Sequence, residues 1–377
     1  MNTPLTAPSG APRRIKVLVV DDSALVRSIL SDLLGQDPAI EVVGTASDAH
    51  MAREKIKRLN PDVLTLDVEM PKMDGLTFLH NIMRLRPMPV VMVSTMTERG
   101  AETTLDALAM GAVDFLTKPR LDVAAKLPEY CDELIGKIKM AARASVRALD
   151  PQRAEAVRPK NMAVVAAGKT AVARKMRTTD RIIAIGASTG GTEAIKRVIT
   201  AMPADSPGIL VTQHIPKAFS SSFARRMDDC CAMTVTEAED GQYVLAGHVY
   251  IAPGDRHLYL IRDGARYVCR LDDGEPVNRH KPSVDVLFSS VAKSAGENAI
   301  GVLLTGMGKD GARGLKEMRA AGSRTIAQDE ATSVVWGMPG EAVAIGAVDD
   351  IVPIDEMAEH VHALAERMDF TKQGGDR

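Results

Sequence analysis

The sequence predicts two α/β domains, each a doubly wound and mostly parallel sheet, joined by a linker. Strand-like apolar runs alternate with segments whose apolar residues recur at three- and four-residue spacing, in two separate stretches of the chain. Aromatics make up only 3% of the residues while methionines number 20, so the cores are built from Ala, Val, Ile, Leu and Met, as buried parallel strands require. The length of 377 residues, set against about 150 per domain, allows roughly 2.5 domains.

In the first stretch the strand-like runs are Ile15–Val20, Glu41–Ala46, Val63–Leu66, Val90–Val93 and Val113–Thr117. Helical segments Ser23–Leu34, Ala49–Arg58, Asp74–Leu85 and Ala101–Met110 lie between them, and Glu129–Val146 closes the unit. Ala141–Asp180 breaks the pattern with 11 alanines, nine Lys/Arg and three Asp/Glu, interrupted by Pro151 and Pro159. It reads as the end of a helix followed by a solvated basic linker. A second α/β pattern follows: strands Arg181–Ile185, Gly208–Gln213, His248–Ala252 and Ala299–Leu304, helices Thr192–Ala201, Ser220–Met227 and Gly311–Ala320. His257–Leu271, with a turn near Asp263-Gly264, adds an antiparallel hairpin. The expected boundaries are a tail at 1–13, domains at 14–148 and 179–370, a linker at 149–178 and a tail at 371–377.

Composition excludes several functions. Lys+Arg 47 against Asp+Glu 49 argues against whole-chain binding to nucleic acid or anionic membrane. No apolar run reaches the roughly 18 residues that span a bilayer. The polar, Pro-rich Met1–Pro12 is no signal peptide and reads as a frayed tail. Cys131, Cys230, Cys231 and Cys269 show neither zinc spacing nor a disulfide framework, which predicts free thiols in a reducing cytoplasm.

Chemistry-bearing residues gather just past strand ends, where an open parallel sheet places its binding crevice. Asp21 and Asp22 follow the first strand, Asp67 the third, Ser94 the fourth and Lys118 the fifth. Three carboxylates in one crevice repel one another unless a cation intervenes, and carboxylate oxygens suit Mg²⁺. Val19-Val20-Asp21-Asp22-Ser23, Leu66-Asp67-Val68-Glu69-Met70-Pro71 and Thr117-Lys118-Pro119 resemble the receiver domain of two-component response regulators. That resemblance implies phosphorylation of Asp67 by a histidine kinase. Mg²⁺ would be held by Asp22, Asp67 and the Glu69 carbonyl, with Asp21 in the same metal cluster. Lys118 would contact the phosphoryl group, and Ser94 and Phe115 would switch position. Many receivers carry Tyr where Phe115 stands, so the hydrogen bond of that hydroxyl is missing here.

In the second stretch, strand Ile182–Ile185 runs into Gly186-Ala-Ser188-Thr-Gly190-Gly191 and then a helix. This is G-x-S-x-G in a strand–turn–helix setting, which exposes a serine hydroxyl at a helix N-terminus. The same pattern also serves as plain structural punctuation. His214 follows the next strand as a candidate base, and Asp310 follows Ile300–Leu304 and Thr305-Gly-Met-Gly-Lys. Asp310 also suits a helix N-cap, a role compatible with orienting His214. Asp285 and Asp329 are alternative orienters. The chain order Ser…His…Asp matches neither the α/β-hydrolases nor two serine-protease classes.

Gly186-Ala-Ser-Thr-Gly-Gly191, Gln213-His-Ile-Pro216, Ala252-Pro-Gly-Asp255, His280-Lys-Pro-Ser-Val-Asp285, Leu304–Gly311 and Gly337-Met-Pro339 resemble the chemotaxis-receptor protein-glutamate methylesterases. That resemblance implies hydrolysis of γ-glutamyl methyl esters and deamidation of particular glutamines on methyl-accepting chemotaxis receptors, in a cytoplasmic enzyme that neither inserts into membrane nor binds nucleic acid. Ser188 would be nucleophile, His214 base, Asp310 its orienter and the Met307 N–H an oxyanion donor, with no cofactor at the esterase site. His280 would bind substrate or serve structure. The rival readings are a DNA-binding response regulator, for which no basic helix-turn-helix is evident, and a scaffold without esterase activity.

Overall fold

The computed structural model describes residues 13–95, 97–118, 127–144, 146 and 181–373. The linker expected at 149–178 lies outside the described residues, as does the expected N-terminal tail except Arg13, whose guanidinium pairs with Asp62 at 2.7 Å. The chain divides into two compact units.

The first sheet alternates with helices in chain order: β1 (Ile15–Val20), α1 (Ala24–Leu34), β2 (Ile40–Ala46), α2 (Ala49–Leu59), β3 (Val63–Asp67), α3 (Gly75–Leu85), β4 (Val90–Ser94), α4 (Glu98–Ala109), β5 (Asp114–Thr117) and α5 (Leu127–Ala141). Side chains set the helix starts. Ser23, Asp48 and Asp74 sit at N-caps and accept the N–H groups of Val26, Met51 and Thr77, satisfying donors the helix leaves unpaired. The helix expected to reach Val146 ends at Ala141. Strand order is β2-β1-β3-β4-β5, all parallel. Every residue of β3 and β4 is buried, which explains their unbroken apolar character. Order reverses between β1 and β3, so their carboxyl ends form the crevice of this sheet.

The second unit runs β6 (Ile182–Ala187), α6 (Gly191–Ala201), β7 (Gly208–Gln213), α7 (Lys217–Cys230), β8 (Thr234–Glu237), β9 (His248–Ile251), β10 (His257–Asp263), β11 (Arg266–Asp272), α8 (Val284–Ser294), β12 (Ala299–Leu303), α9 (Ala312–Ala320), β13 (Arg324–Gln328), α10 (Met338–Ala344), β14 (Asp350–Val352) and α11 (Met357–Gln373). Seven strands form one parallel sheet in the order β14-β13-β12-β6-β7-β9-β8, and β10 pairs with β11 in a separate antiparallel hairpin. The order reverses between β6 and β12.

Sequence periodicity did not predict β8, β13, β14, α8, α10 or α11. Strands β8 and β14 have only 4 and 3 residues, too few for a periodic signal. Helix α11 extends to Gln373, past the boundary expected at 370. Helix α8 matters most for the core. Its Val284, Leu287, Phe288 and Val291 are completely buried, in one cluster with Ile182, Leu210 and Leu315. A Cβ at Gly186 would lie 2.1 Å from Val284 Cγ1, so glycine there permits the start of α8 to approach β6.

Candidate functional site

At the first crevice, Asp21 and Asp22 leave β1 and Asp67 ends β3, with ligand oxygens all within 4.8 Å of one another. Asp21 and Asp67 are completely buried. Lys118 reaches in with its Nζ 2.8 Å from Asp67 Oδ2 and 3.2 Å from Asp21 Oδ2. The Glu69 N–H donates to Asp67 Oδ1 at 3.2 Å. Burial pushes the Asp67 carboxyl up to about 6, against the pull of the Lys118 ammonium. Beyond the Lys118 ammonium, Asp21 Oδ2 has no hydrogen-bond partner among the described residues. Three crowded carboxylates offering only oxygen donors fit a hard divalent cation such as Mg²⁺. Ser94 is buried at the end of β4. The buried Phe115 ring lies under Lys137 Nζ, 5.2 Å from its centroid, so a cation rather than a hydroxyl partner faces this ring.

At the second crevice, three strand ends deliver three side chains. Ser188 follows β6 in a turn closed by Gly190 at φ 73°. Its carbonyl accepts the Gly191 N–H at 2.7 Å and Gln213 Nε2 at 2.8 Å. His214 follows β7, and its N–H donates to Ala187 O at 3.3 Å. Asp310 stands in the loop between β12 and α9.

His214 Nδ1 lies 3.1 Å from Ser188 Oγ, and Nε2 lies 2.8 Å from Asp310 Oδ2. The ring is used the other way round from the serine proteases, whose Nε2 faces serine. Strand order gives the reason. The histidine stands on β7 and must reach across β6 toward β12. The nitrogen nearer its backbone therefore meets the serine of β6, and the far one meets the carboxylate beyond it.

Asp310 is 1% exposed and accepts five donors. Besides His214 these are Asn278 Nδ2 (2.7 Å), Ser283 Oγ (2.8 Å), and the N–H groups of Val284 (2.7 Å) and Asp285 (3.3 Å). Burial pushes its carboxyl up, but the hydrogen bond and charge of His214, with the other donors, hold it well below the usual carboxylate range. Asp310 caps a helix, though not the one it precedes. Gly311 begins α9 without a side-chain cap, whereas Asp310 satisfies the N-terminus of α8.

The other candidate orienters go elsewhere. Asp285 accepts Gly314 N–H at 2.7 Å and Asn278 at 2.8 Å, and Asp329 turns toward Thr332. His280 stacks on His214 with centroids 3.7 Å apart and planes 12° from parallel. Met307 is 42% exposed, and its N–H enters no hydrogen bond among the described residues. Sequence reasoning assigned no role to Gln213 or Asn278. Gln213 adjoins the expected base and was in reach, while Asn278 has no local signal beyond a turn.

Two units with acidic and Ser-His-Asp clusters at their switch points define the class: a receiver-like unit joined in one chain to an α/β unit with a hydrogen-bonded Ser-His-Asp cluster. The chain matches the response regulator receiver domain over residues 17–126 and the CheB methylesterase family over residues 183–361. It is 58% identical over 351 residues to the protein-glutamate methylesterase/protein-glutamine glutaminase 1 of Xanthomonas campestris pv. campestris, covering 93% of this chain and 97% of that one. Identity to the protein-glutamate methylesterase/protein-glutamine glutaminase of Hydrogenovibrio crunogenus is 54% over 374 residues, covering 94% of this chain and 100% of that one. The crystal structure of the Thermotoga maritima CheB methylesterase catalytic domain is 39% identical, covers 49% of this chain and 98% of that chain, and gives a TM-score of 0.48. The chain belongs to the CheB methylesterase family, with a receiver domain at its N-terminal side.

Proposed function

We propose that the chain is a phosphorylation-activated hydrolase that cleaves glutamate methyl esters, and deamidates particular glutamines, on methyl-accepting chemotaxis receptors. The observation that carries this reading is the continuous relay from Ser188 through His214 to Asp310, at 3.1 and 2.8 Å. With Nε2–H donated to Asp310, the tautomer leaves the Nδ1 lone pair facing the serine hydroxyl. Nδ1 takes the Oγ proton as Oγ attacks the ester carbonyl, and the imidazolium is held by the Asp310 carboxylate. The tetrahedral oxyanion is stabilised by the Met307 N–H, whose lack of another acceptor among the described residues supports that role. Collapse passes the proton from Nδ1 to the departing methoxide, releasing methanol. Water then attacks the acyl-enzyme with the same base and regenerates Ser188. A primary carboxamide follows the same course with ammonia leaving, so one site serves both substrates.

In the receiver, Asp67 is the phosphoacceptor and a chemotaxis histidine kinase the donor. Asp21, Asp22, Asp67 and the Glu69 carbonyl would hold Mg²⁺, which when bound neutralises the crowded carboxylates and the incoming phosphoryl oxygens. Lys118 neutralises the phosphoryl group on Asp67, and Ser94 and Phe115 change position in response. The enzyme is cytoplasmic and acts on the cytoplasmic helices of its receptors, and no helix among the described residues is long and apolar enough to cross a membrane. The deciding experiment is methanol release from receptor membranes carrying labelled methyl esters. The native chain should release methanol and Ser188→Ala should not; equal release would overturn the assignment.

A further inference from the structure

The segment 277–283 holds the relay from the side opposite the serine. Val277 and His280 exchange two backbone hydrogen bonds of 3.0 and 2.9 Å, and Asn278 and Arg279 between them have φ of 53° and 69°. Both central residues are thus in the left-handed region, as a type I′ turn requires, and asparagine tolerates that region better than most residues. The turn delivers two side chains: the His280 ring onto His214, and the Asn278 amide between two carboxylates. Asn278 Nδ2 donates 2.7 Å to Asp310 Oδ1 and 2.8 Å to Asp285 Oδ2. Asp310 is 1% and Asp285 4% exposed.

Two buried carboxylates side by side repel each other, and each needs donors to remain ionised. A cation between them would compete with His214 for Asp310. A single amide nitrogen supplies two donors and no charge. We infer that Asn278 is a positioning residue that acts on His214 through Asp310, fixing the carboxylate so that its other oxygen faces Nε2. For its consequence in turnover this rests on the hydrolase reading above; for the hydrogen bond itself it does not.

Among the described residues, the following groups face this site. His214 is approached by Ser188, His280 and Asp310. Asp310 is approached by His214, Asn278, Ser283 and the start of α8. Asp285 is approached by Asn278, the Gly314 N–H and Arg313, whose Nε is 4.0 Å away. His257 Nδ1 accepts the Ser283 N–H at 3.2 Å and so supports the same segment.

The test compares the native full-length chain with Asn278→Gly, which keeps a backbone suited to positive φ but removes the amide, and Asn278→Asp, which replaces both donors with a third carboxylate. Two readouts are taken. The first is the proton resonance of His214 Nε2–H in chain labelled with ¹⁵N-histidine, which reports the hydrogen bond to Asp310 without any substrate. We expect solvent exchange of that proton to quicken about tenfold or more in Asn278→Gly, the scale of losing one hydrogen bond to a charged group. The second is methanol release: kcat should fall about tenfold or more, with KM within about twofold, and the acid limb of kcat/KM should move to higher pH. Without its amide donor the Asp310 carboxylate carries more unscreened charge and favours the imidazolium form, although it no longer fixes the geometry of the Nε2–H bond, and Asn278→Asp should move the limb further. Adding Asp285→Asn to Asn278→Asp removes one of the crowded charges and should return the limb toward its native position.

Unchanged Nε2–H exchange in Asn278→Gly overturns the inference, whatever the rate does. So does a fall in kcat with the acid limb unmoved, which marks the turn as purely structural. If Asn278→Asp fails to fold, Asn278→Gly decides the question alone. A native chain that releases no methanol defeats the hydrolase reading, while the exchange measurement still tests the positioning role.

Discussion

His214 meets Ser188 through Nδ1 and Asp310 through Nε2, and the consequence is a strict division of labour in the relay. Removing the hydroxyl in Ser188→Ala should abolish ester hydrolysis while Asp67 still accepts phosphate, checked by methanol release and by phosphate incorporation. Asp310→Asn removes the negative charge beside the imidazolium and should lower kcat by about 10³–10⁴-fold. Its effect on stability has a defined pH window. The Asp310 carboxyl is held below its ordinary 3.8 despite burial, mainly by the His214 hydrogen bond and charge. A depressed carboxylate stabilises the fold above its unfolded value and loses that contribution as pH falls through the folded one. The stability gap between the native chain and Asp310→Asn, read by denaturant titration, should therefore narrow below about pH 4. A second group stands out away from the relay. The neighbouring Cys231 thiol draws the exposed Cys230 thiol below its ordinary range, while burial pushes Cys269 up to about 12. Iodoacetamide at neutral pH should label Cys230 ahead of the three buried cysteines, as peptide mass mapping would reveal.

Strand ends, helix starts and a few glycines turn these side chains toward one another. Gly190 closes the turn that carries Ser188 at φ 73°, and an added Cβ would stand 2.6 Å from Val334 Cγ2. Gly190→Ala should cost about 1–3 kcal/mol in unfolding free energy and should displace the serine enough to lower kcat. At the start of α3, Asp74 Oδ1 accepts the Thr77 N–H at 2.7 Å, so Asp74→Ala should destabilise the receiver by about 1 kcal/mol, measured by thermal unfolding. Most elements of this kind were readable in advance. β1 and β7 run over the bounds that periodicity predicted, and Ser23 and Asp74 appear as caps one residue before the helices they were assigned to. The short β8 and β14 were not readable, because three or four residues carry too little pattern to distinguish them from loop.

For the whole molecule, the two sheets repeat one device: strand order reverses beside a central strand, and the carboxyl ends there gather the reactive groups. Asp67→Asn should remove activation by a phosphodonor while leaving basal methanol release, which an assay with and without a small-molecule phosphodonor would check. Two parallel α/β sheets were legible in the residues alone, as was the placement of Asp21, Asp22, Asp67, Lys118, Ser188, His214 and Asp310 just past strands. Apolar period and position after a strand are local properties, written within about ten residues of each site. Which of Asp285, Asp310 and Asp329 meets His214 emerges only in the folded chain, where it is Asp310. The tertiary structure alone also decided which imidazole nitrogen faces the serine, and that Asn278 lies between two carboxylates. Those outcomes depend on the neighbour order β12-β6-β7 and on where the turn before α8 falls. Strand order is set by packing among segments as much as 96 residues apart, as His214 and Asp310 are, and no local pattern records it.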